Sequence, residues 1–282
     1  MRNEGYHGLT LSELLMIKHV QKLFKEGRRV GNRGFLEYRD IKIETNVVDK
    51  AFGSAKVELG DTVVVAGVNF EIGTPFPDTP DKGILIVEGE VLPTASFGAE
   101  AGPPSEYEIE LSRVVDRGIR ESEMLPLDEY VIKPGESVLK VFIDFNIIND
   151  DGNLIDTANL AAVSALASAT VPDVEYIKEH IEEVNNINIK EIPRENIKLN
   201  DLPVAVTIGI VNDTFIVDPT SAEEMTAGTL ITITHTKKGE ICSVQLLKGA
   251  LGFEDVFEAI NIAYNKNIEI RSYLAKLGIK VD

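Results

Sequence analysis

The sequence predicts an α+β fold, and three observations carry that prediction. Strand-type alternation of apolar and polar residues fills the interval from about residue 35 to 92 and returns after residue 200. Helix-type patterns follow each block of strands, so the order is strands then helices, twice over. Strands and helices do not alternate one by one, which argues against a doubly wound parallel sheet. No internal repeat aligns between the two blocks.

The first element is a helix. "TLSE", Thr10 to Glu13, is a capping-box pattern; Leu11, Leu14, Leu15, Val20, Leu23 and Phe24 give an apolar face, and Gly27 closes it. "GRRVGNRG" breaks the helix. "YRDIKIET" and "SAKVELG" alternate as half-buried strands do, and "TVVVAGVNFEI" is a longer, more buried run. Gly53 and the pair Gly60-Asp61 read as turns. A Pro/Gly-rich segment then leads to a second capping box, Ser105 with Glu108, which opens the helix carrying "RVVDRGIRE". "SVLKVFIDFNIIN" is a strand, "LIDTANLAAVSALASA" a small-residue helix suited to close packing, and "DVEYIKEHIEEV" a third helix. After a polar crossing at about 185–200 come the strands "LPVAVTIGIV", "DTFIVD", "TLITITHT" and "EICSVQLL". A closing helix places Val256, Ile260, Ala263, Ile270 and Leu274 on one face. The expected organisation is an N-terminal helical extension over 1–30, a first half over 31–190 and a second half over 191–282.

Composition bounds the function. The chain has 282 residues, long enough for one large domain or two modest ones, and its 44% hydrophobic and 26% charged composition is that of a folded protein. No apolar run reaches the length of a membrane span, and the N-terminus lacks an apolar signal core, so a cytoplasmic protein is expected. Cys242 is the only cysteine, which excludes an intrachain disulfide and a Cys-rich zinc site. His7, His19, His180 and His235 are scattered and form no short metal-ligand pair. The formal net charge of −18 argues against nucleic-acid binding over the whole surface, but not against a local basic channel.

Such a channel has a candidate. Arg113, Arg117 and Arg120 lie within one narrow arc of a helix, while Leu111, Val114, Val115, Gly118 and Ile119 take the neighbouring faces. Pairing with Glu110, Asp116 and Glu121 at helical spacing is the plain explanation, worth a few tenths of a kcal/mol per pair. Arginine rather than lysine points further, because its planar fork binds phosphate bidentately.

Five segments, "GRRVGNRGFLEYRDIKIE", "GSAKVELGDTVVVAGV", "PFPDTPDKG", "LPTASFGAEAGPPSEYEIELSRVVDRGIRES" and "FIDFNIINDDGNLIDTANLAAVSAL", resemble the RNase PH family. Within it they resemble the non-catalytic RNase PH-like subunit of archaeal exosomes, over nearly the whole chain. The resemblance implies an RNase PH-like fold of two βαβ-type halves, mixed sheets packed against helices. It implies a ring, three copies alternating with three of a catalytic RNase PH-like partner, that degrades single-stranded RNA from its 3′ end with inorganic phosphate. The phosphate is used at the partner's site, and this chain has no cofactor of its own. RNA-binding cap subunits are further partners of the family. The family's arginine helix lends cations to the RNA path, which matches Arg113 and Arg117, and more weakly Arg120. Arg33, in "GNRG" where the family often has Asp-Gly-Arg, is a weaker RNA-contact candidate.

Catalytic members of the family hold phosphate at a Gly-Ser/Thr-Arg turn before a helix. Here the turn reads "GNLID", Gly152 to Asp156: hydroxyl and guanidinium are gone, and Asp150, Asp151 and Asp156 add negative charge. The aspartate pair expected before "LPVAVT" is replaced by Glu195 and Asp201 at best, with a solvated carboxylate the plainer reading. No catalytic residue is therefore expected. Two other readings stay open: a stand-alone phosphorolytic exoribonuclease using Glu195, Asp201 or Asp156, and a purely structural ring subunit. "PFPDTPDKG" has the composition of a surface loop with Lys82 its sole cation, and Lys248 to Gly252 that of a strand-to-helix turn.

Overall fold

The computed structural model describes residues 10–95, 102–180 and 189–279. His7 and part of the Pro/Gly-rich segment lie outside them. The first half is a sheet of β1 (Ile41–Thr45), β2 (Gly53–Leu59), β3 (Thr62–Gly73), β4 (Ile84–Val91), β5 (Val131–Lys133) and β6 (Ser137–Asn149). Its order is β1-β2-β3-β6-β4, with β5 beside β6. All pairs are antiparallel except β4 with β6, where Glu88 stands opposite Asp144 and Gly89 opposite Phe145. That parallel pair, joined through α2 (Glu106–Glu121), is the expected βαβ unit.

The second half is β9 (Val204–Val211), β10 (Thr214–Val217), β11 (Thr229–His235) and β12 (Ile241–Lys248), in the order β10-β9-β11-β12. It is antiparallel throughout, so here helices pack on the sheet without a parallel crossover. A short ribbon, β7 (Thr170–Pro172) with β8 (Arg194–Asn196), lies in the crossing between the halves.

Alanine content explains the centre of the molecule. Every residue of α3 (Leu154–Ala167) up to Leu166 is buried. A helix apolar all round is a core helix, and Ala158, Ala161, Ala162 and Ala165 let both sheets close on it. One apolar core runs from Val57 and Val64 through α3 to Val206 and Ile233, so the halves share it. Gly53 opens β2 rather than forming a turn: a Cβ there would lie 2.5 Å from Ala165 O, so glycine is needed for the approach to α3. Gly60, at φ 56°, is a true turn glycine.

α1 (Leu11–Lys25) has the expected capping box at Thr10. Its buried face is Ile17, Val20 and Phe24, not the expected Leu11 and Leu15, which are exposed. It packs on the second half, where Val20 and Phe24 meet Val211, Ile216 and Leu230. The described part of the third expected helix is α4 (Val174–Glu179); residues 181–184 lie outside the described ones. A helix the periodicity did not predict, α5 (Ser221–Thr226), is opened by a capping box of Thr220 and Glu223. α6 (Phe253–Lys276) covers one face of the second sheet and buries Ala259, Ile262, Ala263, Asn267, Ile270 and Leu274. No helix among the described residues is long and apolar enough to cross a membrane.

Candidate nucleic-acid interface

α2 lies between the edge of β4 and the edge strand β12, and its side chains divide by face. The first face seals β4. Ser112 Oγ accepts from Gly89 N at 2.9 Å, Glu108 Oε1 accepts from Val91 N at 2.8 Å, and Arg120 Nη2 donates to Leu85 O at 2.8 Å. An open strand edge is a template for wrong pairing, and these bonds close it. Arg120 is also bidentate to Asp116, at 3.0 and 2.6 Å, the helical pair expected from the sequence. Its Nε and Nη2 are thus engaged within the chain, which makes it a weaker candidate for RNA contact than Arg113 or Arg117.

The second face holds Arg113 and Arg117. Arg113 is exposed and makes no hydrogen bond or ion pair among the described residues. Neither the Glu110 nor the Glu121 pairing forms. Instead Arg117 Nη1 donates to Gln245 Oε1 at 3.2 Å, and Gln245 Nε2 donates to Glu110 Oε1 at 2.9 Å. Gln245, on β12, thus anchors one end of the Arg117 guanidinium, whose other donors are unused among the described residues. Sequence reasoning missed this residue, because nothing local pairs it with α2. Arg113 borders a cleft of about 640 Å³ whose floor carries Glu88, Glu90 and Asp144. Burial, and then the charge of Glu88, raises the Asp144 carboxyl above its ordinary range. A polyanion is drawn to Arg113 at the rim of this cleft and repelled by the carboxylates lining it, Glu88, Glu90, Glu108 and Asp144.

The start of α3 has the opposite character. Gly152 has φ 79°, and a Cβ there would lie 2.3 Å from Ser221 N. Asn153 N donates to Glu224 Oε1 at 2.8 Å, so a carboxylate already occupies the helix N-terminus. Asp156 is fully buried and accepts from Tyr38 OH at 2.7 Å, Asn153 Nδ2 at 2.9 Å, and Thr207 N and Oγ1 at 3.0 and 2.7 Å. Burial pushes its pKa up to about 6 despite those donors. Burial likewise pushes Glu224 up to about 7, against the opposing Asn153 hydrogen bond. Two carboxylates short of solvent already stand where an incoming anion would go.

Arg33 belongs to this region. It donates to Asp218 Oδ2 at 2.6 Å and to Glu37 O at 3.0 Å. Arg39 binds both Asp218 oxygens, at 2.9 and 2.7 Å, and Asp151 at 3.1 Å. Arg29, buried, is bidentate to Glu223 at 2.8 and 3.0 Å and also reaches Val217 O and Asp218 O. Asp218 and Glu223 are fully buried. Arg33 is thus engaged by two carboxylates and two backbone carbonyls, which leaves it less available to RNA phosphates than Arg113.

The other candidates are accounted for separately. Asp201 is buried, not solvated: it accepts from Leu202 N at 2.6 Å and Lys237 N at 2.8 Å, and pairs with Arg271 at 3.3 Å. Glu195 is exposed on β8, opposite Val171. Residues 74–83 join β3 to β4 with Phe76 and Lys82 exposed. Gly249, at φ 78°, turns β12 into α6. Cys242, its thiol pushed up to about 12 by burial, packs near Gly118 O and Thr234 O.

Two sheets closed on one small-residue helix, with an arginine helix between their edges, define the two-domain α+β architecture of RNase PH type. The chain belongs to the 3′ exoribonuclease family: residues 37–172 match its domain 1 and residues 201–266 its domain 2. It is 43% identical over 261 residues to the exosome complex component Rrp42 of Pyrococcus abyssi, covering 92% of this chain and 93% of the relative. It is 42% identical over 268 residues to the Rrp42 of Methanopyrus kandleri, covering 93% and 97%. Among solved structures it is similar to a chain of the Archaeoglobus fulgidus exosome with RNA bound to the active site, at TM-score 0.85 and 39% identity, over 94% of this chain and all of that one. An archaeal exosome core chain matches at TM-score 0.81 and 37% identity, over the same 94% of this chain and 100% of the other.

Proposed function

We propose that this chain is a non-catalytic, RNA-contacting subunit of a ring-shaped phosphorolytic 3′→5′ exoribonuclease of the archaeal exosome type. It acts on single-stranded RNA beside a catalytic RNase PH-like partner, and three of each chain make the ring. Arg113 and Arg117 complete the partner's RNA path by holding phosphates. Inorganic phosphate is used at the partner's site. The setting is cytoplasmic, and RNA-binding cap subunits are further candidates for the assembly.

One observation supports this reading above the others. The chain fills its own α3 start with Glu224 and Asp156, while among the described residues Arg113 has no side-chain partner and Arg117 has one. Phosphate brought to the α3 start would meet carboxylates and find no arginine free of them, at a cost on the order of 2–4 kcal/mol of transition-state stabilisation. The stand-alone enzyme is disfavoured for the same reason, since Asp156 and Asp201 are both spent on internal hydrogen bonds. The test is RNA affinity of the assembled ring with Arg113→Glu and Arg117→Glu. Weakened binding supports the RNA-contact role; unchanged binding leaves a purely structural subunit.

A further inference from the structure

We infer that Gln245 of β12 is the positioning residue of the arginine helix, an uncharged spacer that holds Glu110 away from Arg113 and Arg117 and keeps both guanidinium charges available to phosphate. The inference rests on the proposed function above, since it concerns the same two arginines. One amide standing between two charged side chains carries it. Arg117 Nη1 donates to Gln245 Oε1 at 3.2 Å, and Gln245 Nε2 donates to Glu110 Oε1 at 2.9 Å. A guanidinium only donates and a carboxylate only accepts, so a single orientation of the amide serves both.

The spacer answers a problem set by the helix itself. At about 100° per residue, Glu110, Arg113 and Arg117 fall within one arc of α2, about 60° wide. Glu110 stands three residues before Arg113, the spacing at which opposite charges pair on a helix. Left alone, that carboxylate would be an internal anion for the arginines, as Asp218 and Glu223 are for Arg33. Gln245 takes it instead. The amide gives Arg117 an acceptor with no net charge, so the guanidinium gains a fixed corner and keeps its full charge. Its remaining N–H donors, unused among the described residues, retain the planar fork that binds phosphate bidentately. Holding one corner also spares part of the side-chain ordering that binding would otherwise cost.

Close packing brings the amide to this place. β12 pairs with β11, with Gln245 opposite Thr232 and Val244 opposite Ile233. Gly118 of α2 lies against β11, where a Cβ on it would stand 3.3 Å from Thr234 Cγ2. Cys242 Sγ of β12 is 3.6 Å from Gly118 O. α2 therefore rests on the second sheet one position after Arg117, at the distance a glutamine side chain spans. α2 belongs to the first half and β12 to the second, so the amide fixes the arginine against both.

The test reads the RNA affinity of the assembled ring with Gln245→Glu, Gln245→Ala and Gln245→Ala/Glu110→Gln, each checked for ring formation by sedimentation. Gln245→Glu keeps the shape but hands Arg117 an anion. It is expected to weaken RNA binding about fivefold and to lower the salt slope by about 0.7, the share of one phosphate on a single strand. Gln245→Ala frees Glu110 and is expected to weaken binding about threefold, with most of the loss restored by adding Glu110→Gln. A side chain that served only folding would show neither the slope change nor the rescue. In the chain alone, NMR relaxation at Arg117 Nε is expected to report an ordered side chain that Gln245→Ala releases, a reading that needs no ring. Parent-like RNA binding by Gln245→Glu, no rescue by Glu110→Gln, or an Arg117 side chain equally mobile with and without Gln245 overturns the positioning role and leaves the proposed function standing. Unchanged RNA affinity with Arg113→Glu/Arg117→Glu overturns both.

Discussion

Two groups of arginines sit in this molecule, and the chain treats them in opposite ways. Arg29, Arg33 and Arg39 are wrapped by Glu223, Asp218 and Asp151 beside the start of α3. Arg113 and Arg117 look outward from α2, and among the described residues their one side-chain hydrogen bond runs from Arg117 to Gln245. The difference lies in the carboxylates that reach each group. Carboxylates from α5 and the loop before it converge on the first group, while Glu110 of α2 accepts from Gln245 and pairs with neither arginine. An arginine is a phosphate ligand only where its own chain has not already supplied the anion.

The largest expected effect breaks the saturated group. Asp218→Ala leaves Arg33 and Arg39 buried without their shared carboxylate, and should cost about 3–5 kcal/mol in urea unfolding. The RNA affinity of the assembled ring should be unchanged wherever the variant still folds. Next comes Glu224→Gln, which keeps an oxygen to accept from Asn153 N. The folded pKa of Glu224 is raised to about 7, above its unfolded value, so the native state binds the extra proton and stability falls as pH rises toward 7. The neutral variant should therefore be more stable than the parent at pH 8, by about 2 kcal/mol after allowance for partial exposure, with the gap closing at pH 5. Equal stability at pH 8 would contradict the picture of a crowded anion site.

On the outward group, Arg113→Glu with Arg117→Glu should lower the ring's RNA affinity about tenfold or more, roughly 1.4 kcal/mol. The dependence on salt should flatten, since fewer counterions are released, while stability stays within about 0.5 kcal/mol of the parent. The smallest effect separates Arg120 from its neighbours. Arg120→Ala should cost about 1 kcal/mol of stability through the lost bond to Leu85 O and leave RNA affinity alone.

What could be read from the letters divides along the same line. Local signals held: both helical capping boxes, the turn glycine at 60, the strand alternation and the alanine-rich core helix are set by residues close in sequence. The Asp116–Arg120 pair was legible for the same reason. Long-range matters were not. Nothing near Arg33 announces Asp218, and nothing near Arg117 announces Gln245. Leu11 and Leu15 fit a helix period, but which stripe of α1 is buried depends on where α5 and β10 lie. Helix α5 was missed although "TSAE" carries a capping box, because six residues are too few to display a period.

The central claim is that this chain assists a catalytic neighbour and does not itself cleave RNA. The most direct measurement follows a 5′-labelled single-stranded RNA with and without inorganic phosphate, using the chain alone, the catalytic RNase PH-like partner alone, and the mixture. The account predicts an inert chain and phosphate-dependent 3′ shortening in the mixture that weakens with Arg113→Glu/Arg117→Glu. Phosphate-dependent shortening by the purified chain alone would contradict it.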